Sequence, residues 1–277
     1  MQLLNRLVCL SVLWIPSLRG SAQTDSIDRQ HLSIGEVHTI HSDILQEDRI
    51  LNIYTPEGFD TLQNLPVIYL LDGSINEDFI HVCGLVQFFH LMYGMPPCIV
   101  VGIANVDRKR DFTFHTDLAE LTDKYPTVGH SEPFIRFLSE ELQPYVREQF
   151  NTGDTNMLIG QSLGGLLATE ILLKQPDLFT HYFIVSPSLW WDNESLQRRF
   201  AELSTTLQNK HLFIFISVGK DEDRIMVREA RTLHKQLRSL HGNKLDLYYH
   251  PMSGENHATV LHSSLYEGLK ILFPYQE

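Results

Sequence analysis

Hydrophobic and polar positions follow two rhythms along this chain. Over Ile34 to Ile40 and Arg49 to Tyr54 they exchange every second residue, as in half-buried strands, and the polar stretch Ser42 to Asp48 between them predicts an antiparallel hairpin. Further on, short apolar runs rich in β-branched and aromatic residues recur at Pro66 to Leu71, Cys98 to Ala104, Asn156 to Ile159, Tyr182 to Val185, His211 to Val218 and Lys244 to Tyr249. Each has the length of a strand buried on both faces. Helical patterns fill the gaps over Asp78 to Leu91, Glu132 to Phe150, Leu163 to Lys174, Glu194 to Leu207, Ile225 to Leu240 and Thr259 to Leu272. The alternation predicts an α/β fold, with a mostly parallel central sheet, helices on both faces and an antiparallel N-terminal edge hairpin. Ligands are then expected beyond the carboxyl ends of the strands. The longest irregular segment, Asn105 to His130, is polar and aromatic and reads as a candidate substrate-contacting loop.

Composition narrows this picture. The chain has 277 residues, of which 43% are hydrophobic and 20% charged, which suits one large domain over residues 23–277 with no repeat or linker. A formal charge of -12 argues against a nucleic-acid partner and against docking through a broad anionic surface. At the start, Arg6 supplies a positive n-region, Leu7 to Ile15 an apolar h-region, and Gly20-Ser21-Ala22 a small-residue cleavage site. Residues 1–22 therefore read as a signal peptide, and the mature protein is expected to be periplasmic or secreted, with no membrane span. Processing removes Cys9. Cys83 falls in a helical stretch and Cys98 starts a strand, so two buried free thiols are expected rather than a disulfide. No C-x-x-C or His-rich spacing suggests a metal. The oligomeric state is left open.

Candidate chemistry centres on Leu158-Ile159-Gly160-Gln161-Ser162-Leu163-Gly164-Gly165, a buried strand entering a G-x-S-x-G turn that opens a helix. Such a turn is where the α/β-hydrolase fold holds a nucleophilic serine. A Cβ at Gly160 or Gly164 is expected to collide with the neighbouring strand or helix, and the Leu163 backbone N–H is expected to face a developing oxyanion. The nucleophile–acid–histidine order then places the partners after later strands. His257 follows the last strand in Gly254-Glu255-Asn256-His257 and is read as the general base, ahead of His250 at the strand end itself. The acid is sought in Asp221-Glu222-Asp223, with Glu222 first, Asp221 second and Asp223 third; all three also suit an acidic helix start. A second oxyanion donor is expected from Gly73 or Ser74, in the loop after the strand Pro66 to Leu71.

These residues resemble the putative esterase family of α/β hydrolases, whose members include siderophore esterases, S-formylglutathione hydrolases, feruloyl esterases and mycolyltransferases. Tyr69-Leu70-Leu71-Asp72-Gly73 is similar to the family's oxyanion strand, Gly160 to Gly165 to its elbow, and Gly254 to His257 to its histidine loop. Ser186-Pro187-Ser188-Leu189-Trp190-Trp191 and Asp107-Arg108-Lys109-Arg110-Asp111-Phe112-Thr113 resemble the siderophore-esterase branch. The resemblance implies carboxylic-ester hydrolysis through an acyl-enzyme with no metal or organic cofactor. It also admits a Ser-His dyad in which the acid matters little.

Arg108 and Arg110 are candidates to hold a carboxylate, catecholate or phosphate by a forked hydrogen bond, against the alternative of solvated loop charges. Trp190 and Trp191 offer a flat wall to an aromatic group, or pack against the following helix. The leading expectation is a serine esterase acting on a small polyfunctional ester, a siderophore lactone or an acyl-decorated saccharide. An acyltransferase using the same Ser/His site and a non-catalytic binding protein on the same fold are the alternatives.

Overall fold

The N-terminal hairpin and six later strands form a single eight-stranded sheet. A computed structural model describes residues 32–207, 210–241 and 245–276, so the expected signal peptide lies outside the described residues. The strands are β1 (Glu36–Ser42), β2 (Glu47–Tyr54), β3 (Leu65–Leu70), β4 (Ile99–Ile103), β5 (Thr152–Gln161), β6 (His181–Val185), β7 (Leu212–Gly219) and β8 (Leu245–Met252). Their order in the sheet is β1-β2-β4-β3-β5-β6-β7-β8. β1 and β2 pair antiparallel, β2 joins β4 antiparallel, and every pairing from β4 through β3 to β8 is parallel. From Ile34 onward the chain forms one compact unit.

Alternation along the strands divides the core into two layers. Val67, Tyr69, Leu158, Tyr182, Ile184 and Ile214 point to one face, where they meet the helix Leu163–Lys174 and its neighbours. Ile68, Leu70, Met157, Ile159, Phe183 and Phe215 point to the other, against the helices Phe79–Tyr93 and Val260–Leu272. Period-2 side-chain geometry in strands covered on both sides requires this. Parallel pairing from β4 to β8 is what brings the carboxyl-end loops to one rim.

Several boundaries differ from the sequence expectation. The helix read over Glu132 to Phe150 contains a π-helical stretch, Phe137–Leu142, between Ser131–Arg136 and Gln143–Gln149. The helix read from Glu194 is preceded by a turn of the opposite hand: within Trp191–Arg198, Asp192, Asn193 and Glu194 take left-handed φ values of 50, 51 and 63°, and right-handed winding begins after them. Asp192 and Asn193 are residue types that tolerate this conformation, which hid the turn from a periodicity argument. Asn105 to His130 is not an open loop: it holds the helices Arg108–Phe112 and Ala119–Thr122 and closes with a Phe114–His130 bridge. Cys83 and Cys98 are buried free thiols, each pushed up to about 12 by burial. Among the described residues, no helix is long and apolar enough to cross a membrane.

Candidate active site

Ser162 directly follows β5 and caps the helix Leu163–Lys174 at φ 61° and ψ -119°. That conformation is strained for a residue with a Cβ. Three backbone bonds hold it: Ser162 N–H donates to Val185 O at 3.0 Å, and Ser162 O accepts from Leu166 N–H at 2.9 Å and Ser188 N–H at 3.0 Å. The end of β6, its following loop and the new helix are thereby clamped to one residue. The glycines around it have unequal duties. A Cβ on Gly160 would lie 2.3 Å from Gly164 O, and one on Gly165 would lie 2.9 Å from both Pro187 Cα and Val185 O. Gly164 does not share the expected constraint, since a Cβ there meets only Asp72 Oδ2 and Leu71 side-chain atoms at 3.5 Å. Gly165 faces backbone, which cannot move aside; Gly164 faces side chains.

Ser162 Oγ lies 3.0 Å from His257 Nε2, and His257 Nδ1 lies 2.7 Å from Glu222 Oε2. An ionised carboxylate only accepts, so the imidazole proton sits on Nδ1 and Nε2 faces the serine hydroxyl as an acceptor. The other Glu222 oxygen, Oε1, accepts from Ser186 Oγ at 2.5 Å and Gly219 N–H at 2.7 Å. The Glu222 side chain is 1% exposed, while His257 is 46% exposed. Burial pushes the Glu222 carboxyl upward. Hydrogen bonds from His257, Ser186 and Gly219 outweigh that and hold it below the usual carboxylate range.

Glu222 is the one of its three neighbours that reaches the histidine, because its backbone folds back on Gly219 O at 3.4 Å and carries the side chain inward. Asp221 is exposed and donates its N–H to Glu255 O at 3.1 Å. Asp223 is exposed and accepts the Ile225 N–H at 3.0 Å, serving the start of the helix Arg224–His241. His250 lies on β8 with its ring 6.2 Å from Phe215. The loop bearing His257 is tied to the elbow by Gln161 Nε2, which donates to His257 O at 2.5 Å.

Leu163 N–H is among the first four of its helix, which have no partner within the helix. Gly73 does not supply a second donor: its N–H is bonded to Ile103 O at 3.0 Å. Its glycine identity serves packing, since an added Cβ would lie 2.3 Å from Gly102 Cα on β4. Ser74 N–H faces Glu77 Oε2 at 3.3 Å, so of the two it is the donor not committed to the sheet.

The two arginines part company. Arg108 makes a fork to Asp72, Nε to Oδ1 at 2.6 Å and Nη2 to Oδ2 at 2.8 Å, and Nη2 also lies 3.3 Å from Gln161 O. With Asp72, Glu77, Asp78, Gln161, Ser162 and His257 it lines a pocket of about 380 Å³. Arg110 turns away. It bonds Glu47 at 3.0 and 2.6 Å and Asp111 at 2.7 Å, joining a buried network with Arg49, and does not line the Ser162 pocket. Helical winding of Arg108–Phe112 sets the two guanidiniums on different faces, so only the start of the Asn105 to His130 segment touches the pocket. Trp191 is 1% exposed and donates to Phe114 O at 2.9 Å. Trp190 is half-buried against the same core, and neither tryptophan lines the pocket.

A family model described as "Putative esterase" matches residues 42–270. The chain belongs to that family. The ferri-bacillibactin esterase BesA of Bacillus subtilis is 30% identical over 216 residues, covering 71% of this chain and 74% of that one. The crystal structure of the BES protein from Bacillus cereus superposes with a TM-score of 0.78 at 29% identity, covering 91% of this chain and 99% of that one. An IroE-like serine hydrolase from Shewanella oneidensis gives 0.76 at 28% identity, over 86% and 80%. The protein is thus a carboxylic-ester hydrolase of the siderophore-esterase-like branch, on an α/β-hydrolase fold.

The esterase carries site residues that sequence reasoning passed over. Ser186, fully buried at φ 42°, and Ser188, whose Oγ lies 3.3 Å from Ser162 Oγ, come from the same hexapeptide in which the tryptophans drew attention. Asp72, at φ 56°, anchors Arg108. The signal for all three was adjacency to strand ends: Asp72 lies two residues after β3, and Ser186 and Ser188 one and three residues after β6. Among the described residues, no group of three His, Cys, Asp or Glu side chains is placed to hold a metal ion.

Proposed function

We propose that this esterase cleaves the ester bonds of a siderophore-type lactone through an acyl-enzyme on Ser162. The observation that carries the proposal is the continuous hydrogen-bonded line from Ser162 Oγ through His257 to a buried, doubly donated Glu222. Ser162 Oγ attacks the ester carbonyl carbon while its proton passes to His257 Nε2, and Glu222 stabilises the imidazolium. The tetrahedral oxygen accepts from Leu163 N–H; losing one such donor costs about 3 kcal/mol in comparable enzymes. Collapse expels the alcohol, which takes the proton from His257. Water then repeats the sequence on the acyl-enzyme and regenerates Ser162.

The siderophore substrate is supported by named relatives, among them the ferri-bacillibactin esterase and the iron(III) salmochelin esterase of Escherichia coli, at 28% identity over 213 residues. Arg108, already forked onto Asp72, is the cation that a catecholate or carboxylate would meet on entering the pocket. The N-terminal pattern supports export of the mature chain to the periplasm or beyond.

A fluorophosphonate probe and p-nitrophenyl butyrate test the chemistry, and a panel of catecholate and hydroxamate lactones tests the substrate. Labelling and hydrolysis are expected to vanish in Ser162→Ala and to fall at least a thousandfold in His257→Ala. Labelling that persists in Ser162→Ala would remove Ser162 as nucleophile. Turnover of simple esters with none of the lactones would remove the substrate assignment.

A further inference from the structure

The helix Arg224–His241, which starts two residues after Glu222, concentrates positive charge on a strongly acidic chain. Arg224, Arg228, Arg231, Lys235 and Arg238 recur at intervals of four, three, four and three residues. That spacing places them on one stripe of the helix, a row of about 21 Å at 1.5 Å per residue. All five are exposed, and so is Lys220 at the end of β7, giving six of the chain's 22 lysines and arginines in one place. Four of them plus Lys220 line a groove of about 420 Å³, to which Glu222 contributes the one carboxylate and which shares no lining residue with the Ser162 pocket.

Compensation within the groove is sparse. Arg228 is paired with Glu194 and lies 3.4 Å from Glu229. Lys220 Nζ donates to Ser253 Oγ at 2.9 Å, a neutral partner. Arg224, Arg231, Lys235 and Arg238 make no ion pair among the described residues. On other helices several cations are matched by near acids, as in Arg136–Glu140, Lys174–Glu170, Arg199–Glu202 and Lys270–Glu267, and the cations without an ion pair among the described residues, Lys109, Arg147 and Arg198, stand one to a helix. A helix that leaves four cations unmatched in a chain of charge -12 presents an anion-binding surface.

We infer that this groove binds a compact multivalent anion whose phosphate, carboxylate or catecholate oxygens bridge Lys220, Arg224, Arg231 and Lys235. A long polyanion is disfavoured, because beyond a row of about 21 Å it would meet a surface dominated by carboxylates. The inference does not depend on the chemistry at Ser162. Two sources share the chemistry: the anionic end of a substrate, or a separate small anion.

The test is calorimetric titration of tripolyphosphate into full-length Ser162→Ala protein in 150 mM NaCl. One-to-one binding is expected, weakened at least tenfold in Arg231→Glu/Lys235→Glu. The control Arg136→Glu/Arg199→Glu makes the same change in net charge and should stay within twofold. No binding at that salt, or equal loss in both double variants, would overturn the inference. Kinetics on Ser162-intact protein then separate the sources. Tripolyphosphate that raises KM for an iron(III) tris-catecholate lactone, a trianion, and not for p-nitrophenyl butyrate marks the anion as the substrate's own. Retained binding with both KM values unchanged marks a separate ligand.

Discussion

Replacing Glu222 by glutamine is predicted to damage the enzyme more than replacing it by alanine. Oε1 of Glu222 accepts two hydrogen bonds, from Ser186 Oγ and from Gly219 N–H, while Oε2 faces His257 Nδ1 alone. A glutamine amide has one acceptor and one donor end. Placing its NH2 group toward Ser186 and Gly219 would set donor against the Gly219 N–H and leave that buried group unsatisfied, at a cost of about 1–3 kcal/mol. The amide therefore settles with its oxygen on those donors and its NH2 toward His257 Nδ1. That orientation forces the proton of the imidazole onto Nε2, which then donates to Ser162 Oγ and cannot receive its proton. The equivalent acid-to-amide change in serine proteases lowers kcat by about 10⁴, or about 5.5 kcal/mol, through the wrong tautomer. A loss of about 10³ to 10⁴ in kcat is expected here for Glu222→Gln. Glu222→Ala leaves the tautomer free and should lose about 10², while Asp221→Asn should stay within twofold. The assay is kcat and KM for p-nitrophenyl butyrate at pH 8, with thermal unfolding to show that each variant is folded. Glutamine activity within tenfold of wild type, or above that of alanine, would refute the reasoning and favour a Ser-His dyad.

Three further outcomes follow from contacts outside that line. Arg108→Ala leaves Asp72 without its cation beside the elbow, with the Asn105 amide as its remaining side-chain donor, and should lower kcat/KM at least tenfold, whereas Arg110→Ala should lower stability by about 1–3 kcal/mol, with kcat/KM within threefold; a reversed pattern would break the division of the two arginines. Glu229 is fully buried with Oε2 unbonded, and burial, with Glu194 nearby, raises its carboxyl to about 7. Because the folded value is the higher one, its stabilising contribution is complete below about pH 4.5 and is lost as pH rises through about 7. Glu229→Gln should therefore be more stable than wild type at pH 8.5, by about 2–3 kcal/mol, and close to it at pH 5; parallel denaturant-midpoint curves for the two proteins would contradict this. Gly165→Ala, with its Cβ 2.9 Å from Pro187 Cα and Val185 O, should lower Tm by several degrees, while Gly164→Ala, with contacts at 3.5 Å, should keep the wild-type Tm.

The sheet was legible because burial on both faces writes a strand as an apolar run, and β3, β4, β6 and β7 have few polar interruptions to confuse the reading. The order of Ser162, Glu222 and His257 was legible for the same reason, since each follows a strand end in a parallel sheet and strand ends share a rim. Turns whose conformation depends on individual φ values were not. Nothing in the periodicity of Trp191 to Arg198 announces three successive left-handed residues, and nothing in a G-x-S-x-G-G string tells which glycine faces backbone.

Side-chain partnership was the least legible, and the arginines show why. Arg108 and Arg110 stand two residues apart in one basic loop sequence, and composition treats them alike. Their difference lies in the partners that other segments bring: Asp72 from the end of β3 for one, Glu47 from the start of β2 for the other. A contact spanning 36 residues and one spanning 63 are both products of strand order, with β2, β4 and β3 adjacent in the sheet. A guanidinium whose fork is filled by a buried network cannot also turn to a ligand without leaving Asp111, 1% exposed, short of a partner. Arg108 keeps part of its fork toward the Ser162 pocket because Asp72 occupies only Nε and Nη2. Topology, not local sequence, thus assigned one arginine to the scaffold and the other to the pocket.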